Sequence, residues 1–295
     1  MTVTSRGLLL GLTLSCWACA SGGGSGKPAQ RAAGTRASGP GGPGIPSIAH
    51  HSTPATAALG GRLLGFALDG MGGGAAVDRV RSLELRGELV EQTPDGEIRA
   101  GFVERIVFPD RYRRDLTIAS TTLSTLVIPE GAFVLGPQGA RRLSPKDRAR
   151  LEKEVMRKPL ALLKTRRDQT FMALGGPDGE IDGKRVEQLI VLSGGDSTTA
   201  WLDPATGRIV RTDYSVVGGA AGGEHRSEVR YSDSRRAGDL MYPFVSETFQ
   251  DGTPGPVVCI QAAVVDGPID RAAFLAPPEA PAGGGQTKPE TGERQ

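Results

Sequence analysis

The stretch from Glu224 to Pro277 decides the fold, because it consists of successive β-type segments joined by turns. It reads EHRSEVRYSD at 224–233, LMYPF at 240–244 and PVVCIQAAVV at 256–265. Alternation of polar and apolar residues, and β-branched residues in an apolar run, are typical of strands. The turn-forming pair Asp251-Gly252 stands between the second and third segments. The C-terminal part of the chain is therefore expected to form a β-sheet.

The same pattern of short strands and tight turns fills most of the preceding sequence. The turn TPDG at 93–96 joins a predicted strand over 82–91 to one over 98–108. Further strands are predicted over 112–119, 122–128 and 132–135, and, after a helical insert, over 169–173, 185–193, 198–202 and 208–216. Hairpin-length links between so many strands indicate an antiparallel arrangement.

Helices are expected in two places only. Apolar residues at helical spacing predict a first helix within 57–68, followed by a short helical turn at 75–80. The tetrapeptide SPKD at 144–147 is a helix start, with Ser144 as the N-cap, a proline at the first helical position and Asp147 three residues after the cap. This helix is expected to end before Pro159, and a short apolar helix should follow at 160–163.

These elements predict a mainly β (α+β) fold with about a dozen strands and two or three helices. Parallel winding would require a helix between successive strands, and the sequence offers none there. A large antiparallel sheet must curl or pack against another layer to bury its apolar face. The expected architecture is a curved antiparallel half-barrel closed by two or three helices.

Composition divides the chain into four parts. The first 20 residues have the charge and apolar pattern of a secretory signal peptide. Residues 21–53 are rich in Gly, Ser, Pro and Ala and are predicted to be a disordered tether, as is the tail at 278–295. The segment 54–277 is predicted to be one globular domain.

The signal segment allows two ways of processing. Cleavage after Ala20 fits the small-x-small pattern and would release a soluble protein. Alternatively, Cys19 is the lipid attachment site of a bacterial lipoprotein, followed by the flexible tether that such proteins usually carry. We favour the lipoprotein, although Cys16 occupies the position where lipoprotein signals usually carry leucine.

Charge and motif content argue against several classes of function. The formal net charge is +2, from 35 Lys and Arg against 33 Asp and Glu, which gives no reason to expect a nucleic-acid partner. The three histidines have no metal-ligand spacing with cysteines or carboxylates, and no serine stands in a Gly-x-Ser-x-Gly elbow. We therefore predict no catalytic residues, no metal site and no cofactor, and we expect Cys259 to be a small buried hydrophobe.

Several short motifs occur in the order typical of a known superfamily. They are GG at 72–73, VRSLELRG at 80–87, FPDRYR at 108–113, KPLALL at 158–163, YSD at 231–233, PF at 243–244 and PIDRAAF at 268–274. In this order the chain resembles the superfamily of the periplasmic lipoprotein carrier, its outer-membrane receptor and the outer-membrane lipoprotein-sorting proteins. The resemblance covers most of 57–277.

The resemblance implies a concave apolar cavity that shelters acyl chains, and partners that are lipid acyl chains or lipoproteins. The apolar residues of the first strands are the candidates for the cavity wall: Phe102, Ile106, Phe108, Leu116, Ile118, Leu126 and Ile128. The expected protein is a non-enzymatic lipid- or lipoprotein-binding chaperone of the bacterial envelope, on the periplasmic side and anchored to the outer membrane through Cys19. The alternative is a non-catalytic sensor or scaffold domain that binds a partner protein.

Overall fold

The computed structural model describes residues 52–217 and 224–277. The predicted signal peptide, Cys19, the tail at 278–295 and nearly all of the tether lie outside the described residues, so these predictions stay predictions.

The described residues are mainly β-structure, with 55% of them in strands. The helices are α1 (Pro54–Met71), α2 (Gly74–Arg79), α3 (Pro145–Met156) and α4 (Pro159–Lys164), with 3-10 turns η1 (Thr165–Arg167) and η2 (Arg271–Phe274). The first strands are β1 (Ser82–Thr93), β2 (Gly96–Val107), β3 (Arg111–Ile118), β4 (Thr121–Ile128), β5 (Gly131–Gly136) and β6 (Gly139–Arg142). After the helices follow β7 (Met172–Gly175), β8 (Gly179–Ile181), β9 (Lys184–Ser193), β10 (Asp196–Leu202), β11 (Ile209–Val217), β12 (Glu224–Ala237), β13 (Leu240–Gln250) and β14 (Thr253–Val265).

The strands form one open antiparallel sheet. Its order is β6-β5-β4-β3-β2-β1-β14-β13-β12-β11-β10-β9-β7, and β8 pairs with β9 beside this path. The prediction of a mainly β fold with an antiparallel sheet and a few helices is confirmed. Strands β6 and β8 are additions, and α1 is longer at both ends than the sequence indicated.

The chain divides into two compact units. Of the described residues, the first unit contains those within 52–66, 168–230 and 247–255, and the second contains those within 67–167, 231–246 and 256–277. Helix α1 and strands β12, β13 and β14 contribute residues to both units. The prediction of one domain over 54–277 stays a prediction.

In the first unit, α1 covers strand β7. An added Cβ at Gly60 would lie 2.3 Å from the carbonyl oxygen of Ala173, so only glycine lets the helix backbone approach the strand this closely. The side chain of Leu59 packs beside Gly175 in the same way. Because β7 is an edge strand, the helix protects an edge that could otherwise pair with another chain.

In the second unit, α3 packs on one face of the sheet. Leu151 and Val155 of this helix form a buried cluster with Ile106, Tyr112, Val127 and Ala132 of the strands. Ser144 accepts a hydrogen bond from the backbone N–H of Asp147 at 3.2 Å, which confirms the predicted N-cap. We call the sheet face that carries Ile106 and Tyr112 the helix-side face.

The opposite face of the second unit carries a network of charged side chains. Arg105 donates to Glu84 at 2.7 Å and to Asp115 at 3.0 Å, and Arg113 donates to Asp115 at 2.8 Å. Beside these ion pairs lies an apolar patch, where Phe274 of η2 covers Leu126, Ile128 and Phe133. The C-terminal segment thus buries one apolar part of this face.

Candidate functional site

An apolar row crosses five neighbouring strands on the helix-side face of the second unit. In register it consists of Leu123, Leu116, Phe102, Gly87 and Ile260, from β4 to β14. Directly opposite residues of paired strands point to the same side, so these side chains lie next to one another. With adjacent strands about 4.8 Å apart, the row spans about 19 Å. This apolar row is the candidate binding surface.

The middle of the apolar row is covered, whereas its ends are partly open. Phe102 and Leu116 are buried, with 6% and 8% of their surface exposed, while Leu123 and Ile260 are half-buried. Next along the sheet lie Leu89 of β1 and its partner Val258 of β14, which is also half-buried. Strand β14 is apolar in sequence, yet none of its residues from 253 to 265 is fully buried.

Gly87 lets two strands come close at the centre of the row. A Cβ at this position would lie 2.0 Å from the carbonyl oxygen of Cys259 and 2.9 Å from the Cα of Ile260. The register between β1 and β14 shifts between Arg86 and Gly87, which marks a β-bulge. The β14 backbone therefore occupies the place that a side chain at position 87 would take between Phe102 and Ile260.

The structure separates the seven predicted cavity residues. Phe102 and Leu116 belong to the apolar row, and Ile118 lies two residues further along β3 on the same face. Ile106 belongs to the cluster covered by α3, and Phe108 packs against that cluster, with the ammonium of Lys164 4.8 Å from its ring centre. Leu126 and Ile128 lie on the opposite face.

Leu126 and Ile128 therefore cannot share a cavity with Phe102. The reason is the two-residue period of a strand, which turns Val127 toward α3 and its two neighbours toward η2. Their burial beneath Phe274 is an ordinary packing contact.

A polar row lies between the apolar row and the α3 contacts. Its members in register are Glu104, Arg114 and Thr125, and the row ends at the apolar Leu85 of β1. Glu104 has only 4% of its side chain exposed. Glu104 Oε2 accepts hydrogen bonds from the Tyr112 hydroxyl and from Lys158 Nζ, both at 3.0 Å. The Oε1 atom is buried and has no hydrogen-bond partner among the described residues.

Two ion pairs connect the helical insert to this polar row. Lys158 stands between α3 and α4 and reaches Glu104, while Glu154 of α3 lies 3.6 Å from Arg114. Buried charges require such pairing because removing them from water is costly. The insert is thus held to the sheet by apolar packing at Leu151 and by charges at its end.

Burial also changes the acid–base behaviour of two tyrosines near Glu104. Desolvation raises the pKa of Tyr112 well above the ordinary value of 10, and the neighbouring carboxylates act in the same direction. Desolvation likewise raises the pKa of Tyr242, with a further contribution from Glu104. Both phenols therefore remain protonated donors at any physiological pH.

Sequence reasoning missed Glu104, although the strand pattern contains its signal. Phe102, Glu104 and Ile106 are alternate residues of β2 and therefore lie on the same face of the strand. Glu104 is thus a charged residue at a position where an inward-facing apolar residue would be expected. We also predicted Cys259 to be buried, which is wrong, because it is half-buried on the opposite face beside Glu88.

In the first unit, a second polar cluster surrounds Trp201. The indole N–H donates to Asp213 at 2.8 Å, and Arg211 binds the same carboxylate at 2.7 Å while lying against the indole ring. Arg226 and Glu228 complete the network. Each of these charges is paired with another, which is typical of a structural network.

Neither a metal cluster nor a membrane-spanning helix occurs in the part of the chain that the structure describes. Within 52–217 and 224–277 no three His, Cys, Asp or Glu side chains are placed to hold a metal ion. Over the same ranges no helix is both long and apolar enough to traverse a bilayer.

Comparison with solved structures finds chains of similar fold. They include an outer-membrane lipoprotein-sorting protein domain from Vibrio parahaemolyticus, with 11% identity, 72% of this chain and 95% of that chain covered, and a TM-score of 0.46. A DUF1329 family protein from Desulfovibrio piger has 11% identity, coverage of 73% and 97%, and a TM-score of 0.49. A LolA superfamily protein from Nitrosomonas europaea has 11% identity, coverage of 74% and 97%, and a TM-score of 0.49.

These structures include the superfamily that the sequence motifs indicated. At this identity and these scores the likeness is one of fold and says nothing about a ligand. No protein-family model matches the chain, and no curated protein matches it either.

Proposed function

We propose that this protein binds lipid acyl chains on the apolar row, without covalent chemistry. The observation that supports the proposal is an apolar row across five strands whose two ends are half-exposed. An acyl chain placed there would bury apolar surface on both partners, worth about 25 cal/mol per Å². Such a ligand needs few polar contacts, and the polar row lies directly beside the apolar one.

In this proposal the helical insert flanks the apolar row, since α3 packs on Ile106 and Tyr112 on the far side of the polar row. Part of the apolar row is already buried, so a ligand must enter from a half-exposed end or displace what lies over Phe102 and Leu116. Ile260 is the end residue on β14, and its side chain would contact the ligand directly.

Two substitutions on β14 test the binding surface. Ile260→Asp should weaken binding of a fluorescent acyl probe at least about tenfold, because losing the burial of one isoleucine costs about 1.5–3 kcal/mol. Val264→Asp is the matched control, since Val264 lies on the opposite face with 43% exposure and should leave affinity unchanged. The proposal would be contradicted if both variants lost the same amount of probe affinity, or if both kept the wild-type affinity.

We further propose that the protein works in the bacterial envelope, anchored through Cys19. The support is the sequence pattern of the first 20 residues and the tether after it. Cys19→Ser should move the protein from the membrane fraction to the soluble fraction, and the wild-type chain should carry acyl mass. A wild-type chain without acyl mass would show that the signal is simply cleaved. Native mass spectrometry that finds a bound protein in place of lipid would favour a scaffold role.

A further inference from the structure

The unpaired oxygen of Glu104 is the strongest unexplained feature of the candidate site. An ionised carboxylate can accept about four hydrogen bonds, two on each oxygen. Here Oε2 accepts both bonds, from Tyr112 and Lys158, and Oε1 accepts none from the described residues. Buried polar atoms in proteins nearly always have a partner, so an unsatisfied acceptor favours binding of a donor from a ligand or from water.

The position of Glu104 relates this acceptor to the apolar row. Glu104 and Phe102 are two residues apart on β2, and their side chains point to the same face. On β3, the residue paired with Glu104 is the charged Arg114 and the residue paired with Phe102 is the apolar Leu116. Because Phe102 is the middle residue of the row, a molecule that enters from a half-exposed end and stops at Phe102 would have its head beside the Glu104 carboxylate.

The charges around Glu104 restrict the kind of group that fits there. Lys158 and Arg114 provide two positive charges, and Glu104 and Glu154 provide two negative charges. The four formal charges balance. A carboxylate head would add a third negative charge beside Glu104, and an ester head would offer only further acceptors. A neutral head with an O–H or N–H group satisfies Oε1 and leaves the balance unchanged.

We infer that Glu104 Oε1 is the polar anchor of the ligand and accepts a hydrogen bond from a neutral O–H or N–H at the head of an acyl-chain amphiphile. This inference rests on the proposed function, because it assigns a head group to the chain that the apolar row would bind. Phe102 and Leu116 contact the chain, and Glu104 selects the head. Amides and partial glycerides have such heads, whereas free fatty acids at neutral pH and simple esters do not.

Four lauroyl compounds with the same tail test the inference on the delipidated full-length chain. They are lauramide, monolauroylglycerol, methyl laurate and laurate, each measured by displacement of a fluorescent acyl probe. Lauramide and monolauroylglycerol should bind at least about tenfold more tightly than methyl laurate, which is the contribution of one hydrogen bond to a buried carboxylate. Laurate should bind more weakly than either donor.

Two variants assign the selectivity to its residues. Glu104→Gln should reduce the preference for lauramide over methyl laurate to about threefold or less, since a hydrogen bond to a neutral acceptor is weaker. Phe102→Ala should weaken all four compounds by a similar factor and keep their order. Because the comparison of ligands needs only the wild-type chain, the test does not depend on either variant folding.

The outcomes separate the two proposals. If methyl laurate binds as tightly as lauramide to the wild-type chain, Oε1 is satisfied by water and the inference is wrong, while acyl binding stands. If none of the four compounds displaces the probe, acyl binding itself is wrong. A preference that survives Glu104→Gln unchanged would also overturn the assignment to Glu104.

Discussion

Lys158→Met should destabilise the protein far more than loss of an ordinary surface charge, because it leaves the Glu104 carboxylate buried without its cation. The side chains of Glu104 and Lys158 are 4% and 25% exposed, and their charged atoms lie 3.0 Å apart. Removing one partner of a buried ion pair costs about 3–5 kcal/mol. Since Lys158 keeps some contact with water and Tyr112 still donates to Glu104, we expect the free energy of unfolding to fall by an amount near the lower end of this range, about 3 kcal/mol.

Urea unfolding at neutral pH measures this loss, and an exposed ion pair is the matched control. Arg79 and Asp239 lie 3.1 Å apart in the same unit, but their side chains are 67% and 76% exposed. Arg79→Met should therefore cost at most about 1 kcal/mol. Adding Glu104→Gln to Lys158→Met should recover part of the stability, because the remaining buried side chain is then neutral. A cost for Lys158→Met no larger than that for Arg79→Met would refute the reasoning.

Three further predictions concern stability. Gly87→Ala should prevent normal folding, since its Cβ would meet backbone 2.0 Å away, whereas Gly61→Ala in α1 meets nothing within 4 Å and should raise the melting temperature. The hydrogen bond to His225 lowers the pKa of Asp251 below its ordinary value of 3.8, so the stability that this bond contributes is present above that pH and is lost as the pH falls through the lower folded pKa. Asp251→Asn should therefore flatten the acid side of a stability–pH curve. Burial raises the pKa of Tyr112, so the stability that the neutral phenol contributes is complete below pH 10 and is lost as the pH rises above it. An absorbance titration should therefore show ionisation of Tyr112 only as the protein unfolds.

The sheet could be predicted from the sequence because its signals are local. The alternating residues of β12 and the turn at Asp251-Gly252 each specify a strand or a link without reference to distant residues. The N-cap at Ser144 is local in the same sense. Strand β6 was missed because its four residues, GARR, show no alternation of polar and apolar side chains. Their pairing with β5 is what makes them a strand.

The candidate site was harder to predict because it depends on which face a residue occupies. In β4 the run Leu126-Val127-Ile128 is apolar on both sides, since α3 covers one face and η2 the other, so alternation could not separate them. Glu104 was missed for the opposite reason. Its partner Lys158 is 54 residues away in sequence, and no local pattern joins the two.

Photolabelling tests the central proposal, that an acyl chain lies along the apolar row, most directly. A lauroyl lipid carrying a diazirine near the end of its tail would be bound to the full-length chain, irradiated, and mapped by peptide mass spectrometry. The account predicts labels on Phe102, Leu116 or Ile260 that disappear when unlabelled lipid is added in excess. Labels confined to the opposite face, or labels that excess lipid does not remove, would contradict it.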